Sequence, residues 1–546
     1  MVRTANEPPG PAAPRRWRGG VRERAAWLLR VNRLHAGDGD WVRAGRFAAA
    51  FPGGCWSGSI SESTISRWET GSVRVPHAGV ARYEQLLELP PGTLVSVLDT
   101  VNRYAAMAGT AGSDLSRLVP DDDRARRRLE ALLDQACSSA LMTGPLWDEL
   151  TSLMAGLPQL RLVPSRAWDQ LAGRLLDEMV IADWVAWMHR FEALNRLLNH
   201  PIGQTHAIDA CAALAADPTS QVVVEVISAL DATPHPDAGR QVLRQLAHPT
   251  SEAAGYGALL ACVRKTRQRH LSPAHTRQLA TLLAGLLADP DQAASVRPVA
   301  ADILRNLPDG VPRAVRQRLA AAAAAVPTLG HVLDGGRLIS AGVAEATSLR
   351  LAHLTMSALP RDPGQAVTAP LPVLIDELLF SPQPDTRLFT SMLLASTPYR
   401  SALATVVAGQ LRAPDVLADP DQSHAVFSAL RVLGGPVERR LVERLVTEPR
   451  LPSHVPVQAV YALGHIGGQS ADEFWGRAIS RHGAAWRQRG TVAAQVLEGL
   501  VYALGMARHD GLLSQVRQDE QAPAPARAAA AWWLNIPRQI AASARL

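Results

Sequence analysis

The residues best suited to chemistry lie between Ser59 and Pro76, which read Ser-Ile-Ser-Glu-Ser-Thr-Ile-Ser-Arg-Trp-Glu-Thr-Gly and then Ser-Val-Arg-Val-Pro. The spacing predicts a short helix with Ser61 as its N-cap, the hydroxyl accepting from an orphan N–H of the first turn. Ile60 and Ile65 then occupy the two positions of a hydrophobic staple, which sets the angle at which the chain enters the helix. Trp68 follows Ile65 by three residues, so both share a buried face, and Gly71 can take the left-handed conformation that ends a helix. The other face carries Glu62, Ser63, Ser66 and Arg67. Its chemistry suits a duplex groove: a carboxylate can accept from cytosine N4, a guanidinium can donate to guanine O6 and N7, and the first turn is open to phosphates. An ordinary amphipathic helix in a bundle is the plainer alternative, but cap, staple, core tryptophan and polar face coincide here.

Such a helix needs neighbours to hold it. Val21 to Leu34 places Val21, Ala25, Leu28, Leu29 and Leu34 at roughly helical spacing, and Trp41 to Phe51 has an apolar stripe through Val42, Phe47, Ala48 and Phe51 with Asp40 as its N-cap. Downstream, His77 to Leu89 repeats the pattern through Val80, Tyr83, Leu86 and Leu87. Four or five short helices with the capped one third make a helix-turn-helix arrangement.

On these residues the chain resembles Cro/C1-type (XRE-like) helix-turn-helix regulators, through the Ser-x-Ser-Thr-Ile-Ser-x-Trp-Glu-x-Gly core and the proline that follows it. The resemblance covers residues 21–104. It implies that Ser61, Glu62, Ser63 and Arg67 read bases in the major groove. It also implies that Thr64 and Arg74 touch phosphates, with Arg43 and Ser66 as further phosphate-contact candidates, and that Ile60, Ile65 and Trp68 form the structural core of the recognition helix. Family members bind inverted repeats as dimers, so double-stranded DNA and a second copy of the chain are the implied partners. One departure is the linker Pro52 to Gly58, longer than the family's tight turn and expected to form a small protrusion.

Charge supports the same end of the chain. Residues 1–105 carry 14 arginines against nine carboxylates, while the formal net charge of the whole is only +6. Arg15, Arg16 and Arg18 lie in a Pro/Gly-rich arm over residues 1–20, which either enters an A·T-rich minor groove or is a plain disordered tail.

The remaining residues read almost wholly as helix, so the expected fold class is all-α: a helix-turn-helix domain over 21–104 followed by an α-solenoid. A stretch at Ala108 to Ser113 predicts a linker and Asp121 to Leu133 a charged helix, within a connecting region over 105–200. Beyond it, the turn signals Asp217-Pro218, His248-Pro249, Asp289-Pro290, Ser381-Pro382, Asp419-Pro420 and Leu451-Pro452 recur with a period of about 40 residues when the long gap before Ser381 is counted as two units. Leu-Ala-Asp-Pro-Asp-Gln occurs at 287–292 and 417–422, and Tyr-Ala-Leu-Gly at 461–464 and 502–505. A two-helix unit of this length resembles HEAT-like repeats over 201–546, similar to bacterial regulators, of actinobacterial type, in which helical repeats sense peptides or proteins.

Several functions are excluded. Lys265 is the only lysine and no glycine loop precedes it, so there is no Walker-type phosphate loop. Cys55, Cys137, Cys211 and Cys262 lie far apart, without zinc-module or disulfide-framework spacing. No Gly-x-Ser-x-Gly elbow or His-Glu-x-x-His motif occurs, so no catalytic residue, metal or cofactor is expected. Trp184, Trp187, Trp532 and Trp533 are candidates for ligand stacking, although aromatics at helical spacing are usually core. With no long apolar run or signal-like start, a cytoplasmic, nucleoid-associated location is expected, with no membrane partner. The expected function is therefore a transcriptional regulator, not an enzyme. Its repeats would dimerise or bind a protein or small-molecule effector. A helical scaffold in a defence or developmental complex, or a HEAT-like DNA-repair glycosylase, are the alternatives.

Overall fold

The computed structural model describes residues 19–36, 39–106, 122–289, 292, 295–307, 313–315, 317, 320–321, 326–359, 368–488 and 490–546. The basic arm with Arg15, Arg16 and Arg18 and the Ala108–Ser113 stretch lie outside them. Among the described residues every regular element is helical, and extended pairing is confined to one antiparallel bridge between Gly53 and Trp56.

Five helices open the chain: α1 (Val21–His35), α2 (Ala44–Ala50), α3 (Glu62–Glu69), α4 (His77–Leu86) and α5 (Thr93–Ala106). The expected Trp41–Phe51 helix is divided. Asp40–Val42 forms a 3-10 turn, and α2 begins at Ala44 with Arg43 as its N-cap residue, so Asp40 does not cap it. The physical reason is tertiary: the Arg33 guanidinium takes the carbonyls of Trp41 and Val42, which a continuous helix would use internally.

Further along, local signals explain many helix starts. Asp122 caps Asp123–Ala136, Thr143 caps Gly144–Ala155, and Asp419 accepts from the N–H groups of Asp421 and Gln422 at the start of Pro420–Leu433. Proline occupies the first turn of Pro236–Ala247, Pro273–Ala288, Pro384–Ala395 and Pro436–Thr447, where its missing N–H costs nothing. Helices adjacent in sequence pack on one another, as Pro436–Thr447 does on His454–Leu463, and so do helices one element apart, as His454–Leu463 does on Thr491–Ala507. The two Tyr-Ala-Leu-Gly copies make related contacts. A Cβ on Gly464 would lie 3.1 Å from the Tyr502 ring, and one on Gly505 would collide with Trp533 at 2.0 Å, so each glycine admits an aromatic ring of the next helix but one.

The helical array closes on itself. The last helix, Arg538–Ser543, packs on Arg166–Val180, the Leu546 carbonyl accepts from Gly144 N at 3.1 Å, and Ser543 Oγ accepts from Met142 N at 3.2 Å. The Arg190 guanidinium, fully buried, reaches the carbonyls of Met142 and Ser543 and the Glu178 carboxylate, tying both ends together. One apolar core runs from Trp27 to Ala544, and the amino-terminal helices share it through α1 and α5. Trp27 and His35 of α1 meet Tyr399, Asn32 donates to the Ser396 carbonyl, and Arg24 pairs with Glu377 at 2.6 Å. On α5, Arg103 pairs with Glu192 at 3.0 Å and Tyr104 packs on Phe389.

Lys265 is fully buried, with its ammonium donating to the Thr233 carbonyl at 2.8 Å. Burial pushes its pKa down to about 8 from an ordinary 10.5. Between those values the unfolded chain binds more protons than the folded one, so this group adds stability as pH rises through the window and leaves a cost in place below it. Lys265→Met is therefore expected to stabilise the protein at neutral pH by about 2 kcal/mol. It should also flatten the rise in stability between pH 8 and 10.5. Urea melts of both proteins across that range check this; an unchanged slope counts against it.

Candidate nucleic-acid interface

α3 is built largely from its own sequence. Ser61 is the N-cap, in extended conformation, its Oγ accepting from Thr64 N at 3.2 Å and lying 2.8 Å from Ser63 Oγ and 3.0 Å from Thr64 Oγ1. At the other end Gly71 has φ +70, Ser72 N donates to Arg67 O and Gly71 N to Trp68 O, which is a Schellman closure. A side chain at Gly71 would be strained by this φ and would also press on the Arg22 carbonyl at 3.2 Å, where α3 ends against α1.

The two faces of the helix differ sharply. Ile65 and Trp68 are buried, and Ile60 is half-buried against the same core. Ser61, Glu62, Ser63, Ser66 and Arg67 are exposed, as is Arg43 at the start of α2, while Thr64 and Arg74 are half-buried. Arg67 is held loosely along the helix, Nε donating to Ser63 O at 3.2 Å and Nη2 to Thr64 Oγ1 at 3.5 Å. Glu62 leans toward α2, where a Cβ on Gly45 would meet its Oε2 at 3.0 Å. The first turns of α2 and α3 thus meet side by side, which puts Arg43 and Glu62 at neighbouring helix starts.

What holds this surface rigid was not legible in the motif. Glu69, last residue of α3, is buried and accepts from Arg33 Nε at 2.6 Å, Arg33 Nη2 at 2.7 Å and the Tyr83 hydroxyl at 3.0 Å. This bidentate pair plus a phenol ties α3 to α1 and α4. Burial on its own would lower the Arg33 pKa, but the bonded Glu69 carboxylate outweighs it and the net shift is upward. Burial, reinforced by the same carboxylate, pushes the Tyr83 phenol well up, so it remains a donor. Arg82 of α4 takes the carbonyls of Ala50, Phe51 and Pro52 at the end of α2. Glu84 accepts from the N–H groups of Gly92, Leu94 and Val95, fixing the start of α5. Helical periodicity marks Tyr83 alone of these as core; pairings between helices leave no spacing signal.

The long Pro52–Gly58 linker folds into a tight loop in which Gly53 and Trp56 exchange both backbone hydrogen bonds. Gly53 and Gly54 have positive φ, and Trp56 turns inward to meet Phe51 and Trp68 edge-on at 5.3 and 5.8 Å. The extra residues therefore enlarge the apolar support behind α3, while Pro52–Cys55 and Ser57–Ser59 stay exposed.

Elsewhere the sequence candidates separate. Trp533 is buried in the core and Trp532 packs against it, whereas Trp184 and Trp187 line a cavity inside the helical array. Among the described residues no group of three or more His, Cys, Asp or Glu could hold a metal ion. No described helix is long and apolar enough to cross a membrane. No protein-family model matches the chain, and no curated protein of similar sequence is found.

Proposed function

We propose that this chain is a sequence-specific DNA-binding transcriptional regulator. In it α2, the intervening loop and α3 act as a helix-turn-helix unit, and the closed array of HEAT-like helical repeats mediates dimerisation or receives a signal. One observation carries the reading: a short helix capped at both ends exposes Ser61, Glu62, Ser63, Ser66 and Arg67 together while Ile65, Trp68 and Glu69 anchor its opposite side. A helix so anchored presents hydrogen-bonding groups to base edges without first having to order itself. Exposed Arg43 and half-buried Arg74 flank it, where phosphate contacts would set its register. In this reading Glu62 and Arg67 specify bases, and Arg43, Thr64, Ser66 and Arg74 hold the backbone. Neither a catalytic role nor a cofactor is part of it, and the site of action is the nucleoid.

Selection from a randomised duplex library with the full-length protein is expected to enrich an inverted repeat whose half-sites lie about 10–10.5 bp apart or a multiple of that. Arg67→Ala should then cost about 1–3 kcal/mol on the selected site and relax preference at one base pair. Equal weakening on all sequences would make Arg67 a phosphate contact. Failure to enrich any sequence would sink the regulator reading and favour a helical scaffold.

A further inference from the structure

The closed helical array surrounds a cavity of about 360 Å³, within the size range of small-molecule sites. Helices far apart in sequence line it: Trp184–Asn199, Glu252–Gln268, Pro384–Ala395, Pro420–Leu433 and Thr491–Ala507 all contribute side chains. One part of the wall is aromatic. Trp187 stacks on Phe191 at 4.6 Å with 15° between planes, Arg400 lies 5.3 Å over the Trp184 ring, and Tyr256 and Tyr502 face the same space.

The polar part of the wall is unevenly satisfied. Arg264 is held by Asp385 in bidentate fashion at 2.6 Å and by Asp231 at 3.0 Å. Asp183 is held by His465 Nδ1 at 3.2 Å, and His465 Nε2 in turn meets Tyr502 Oη and Arg431 Nη2, each at 2.8 Å. Arg387 and Arg431 differ from Arg264: among the described residues neither forms a carboxylate ion pair, and Arg387 Nε has no hydrogen-bond partner at all. Yet Arg387 is only 6 % exposed. His424 belongs to the same lining, its pKa pushed down to about 3 by burial and by these same two guanidiniums, so its ring is neutral. Glu225 adds one carboxylate to the lining from the Val224–Ser228 helix.

A buried guanidinium with an unfilled donor is costly unless an acceptor completes it, and the nearby carboxylates, Asp421 and Asp385 for Arg387 and Asp183 for Arg431, act on these two arginines from beyond ion-pair distance. The aromatic side chains of the same lining add stacking area for a ring. We propose that the cavity is a binding site for a small aromatic carboxylate, its acidic group bonded to Arg387 and Arg431 and its ring lying against Trp187 and Tyr256. The site stands whether or not α3 binds DNA.

The test uses the full-length protein with 2-naphthoate, indole-3-acetate and the neutral 2-naphthamide, followed by calorimetry and by tryptophan fluorescence. The acids are expected to bind once per chain and to quench fluorescence, the amide about tenfold more weakly because it cannot form charge-assisted hydrogen bonds. Arg387→Met should reduce naphthoate binding to the level of naphthamide and leave naphthamide itself unchanged, and Arg431→Met should do so in part. Trp187→Leu should weaken both probes and diminish the quenching. Thermal melts of each variant separate loss of the site from loss of the fold. Equal affinity for acid and amide, insensitivity to Arg387→Met in a folded variant, or no saturable binding of either acid at millimolar concentration would each overturn the proposal.

Discussion

Glu69→Ala is expected to cost about 3–5 kcal/mol, because it strands the Arg33 guanidinium, 4 % exposed, without its bidentate carboxylate. The Tyr83 hydroxyl loses its acceptor as well, and a buried unsatisfied donor adds to the penalty. Arg33 also holds the Trp41 and Val42 carbonyls, so its displacement should loosen the turn that leads into α2. The damage should therefore spread to α1, α2, α3 and α4 together. Denaturant melts and hydrogen exchange check this: protection of amides over 21–86 should fall while the helices beyond Asp123 keep theirs. Glu69→Gln preserves shape and one acceptor and should cost less. Pairing Glu69→Ala with Arg33→Met removes the orphaned charge and should recover part of the loss, a coupling that a simple packing role for Glu69 would not produce.

Asp385→Ala carries the second large effect, again expected at about 3–5 kcal/mol. Arg264 is 4 % exposed and its two carboxylates, Asp385 and Asp231, come from helical segments more than 100 residues apart, so the pair also joins distant parts of the array. Burial on its own would lower the Arg264 pKa, but these carboxylates reverse the sign and drive it far upward; the guanidinium stays charged in every variant. With Asp385 gone, Asp231 remains on one side and the Nε edge faces the cavity without a counter-charge. Asp385→Asn should fall between, since an amide oxygen accepts one bond but supplies no charge. Urea melts rank the three proteins. If Asp385→Ala lies within about 1 kcal/mol of the parent, then water reaches Arg264 and the guanidinium is not stranded.

Both changes concern contacts that no stretch of sequence announces, and the contrast with α3 is instructive. Ser61, Ile60, Ile65, Trp68 and Gly71 could be assigned roles because capping, stapling and helix closure act within one or two turns of chain. The all-helical class was legible for a similar reason, since apolar periodicity and absent β-branched alternation are local properties. The Trp41–Phe51 segment shows where such reasoning stops. Its periodicity reads as one helix, but a guanidinium from α1 claims two of its carbonyls and divides it.

The order of residues along the chain thus settled the cap-to-cap identity of α3 and which of its faces is polar, because a helix terminus is satisfied by its own neighbours. Tertiary packing settled the rest: the Glu69 lock, the inward turn of Trp56, the meeting of Ser543 with Arg190, and the sorting of Trp187 into a cavity wall and Trp533 into the core. Charge pairing and enclosure depend on which surfaces come together across hundreds of residues, and helical spacing is the same for a tryptophan that fills a core as for one that lines a cavity.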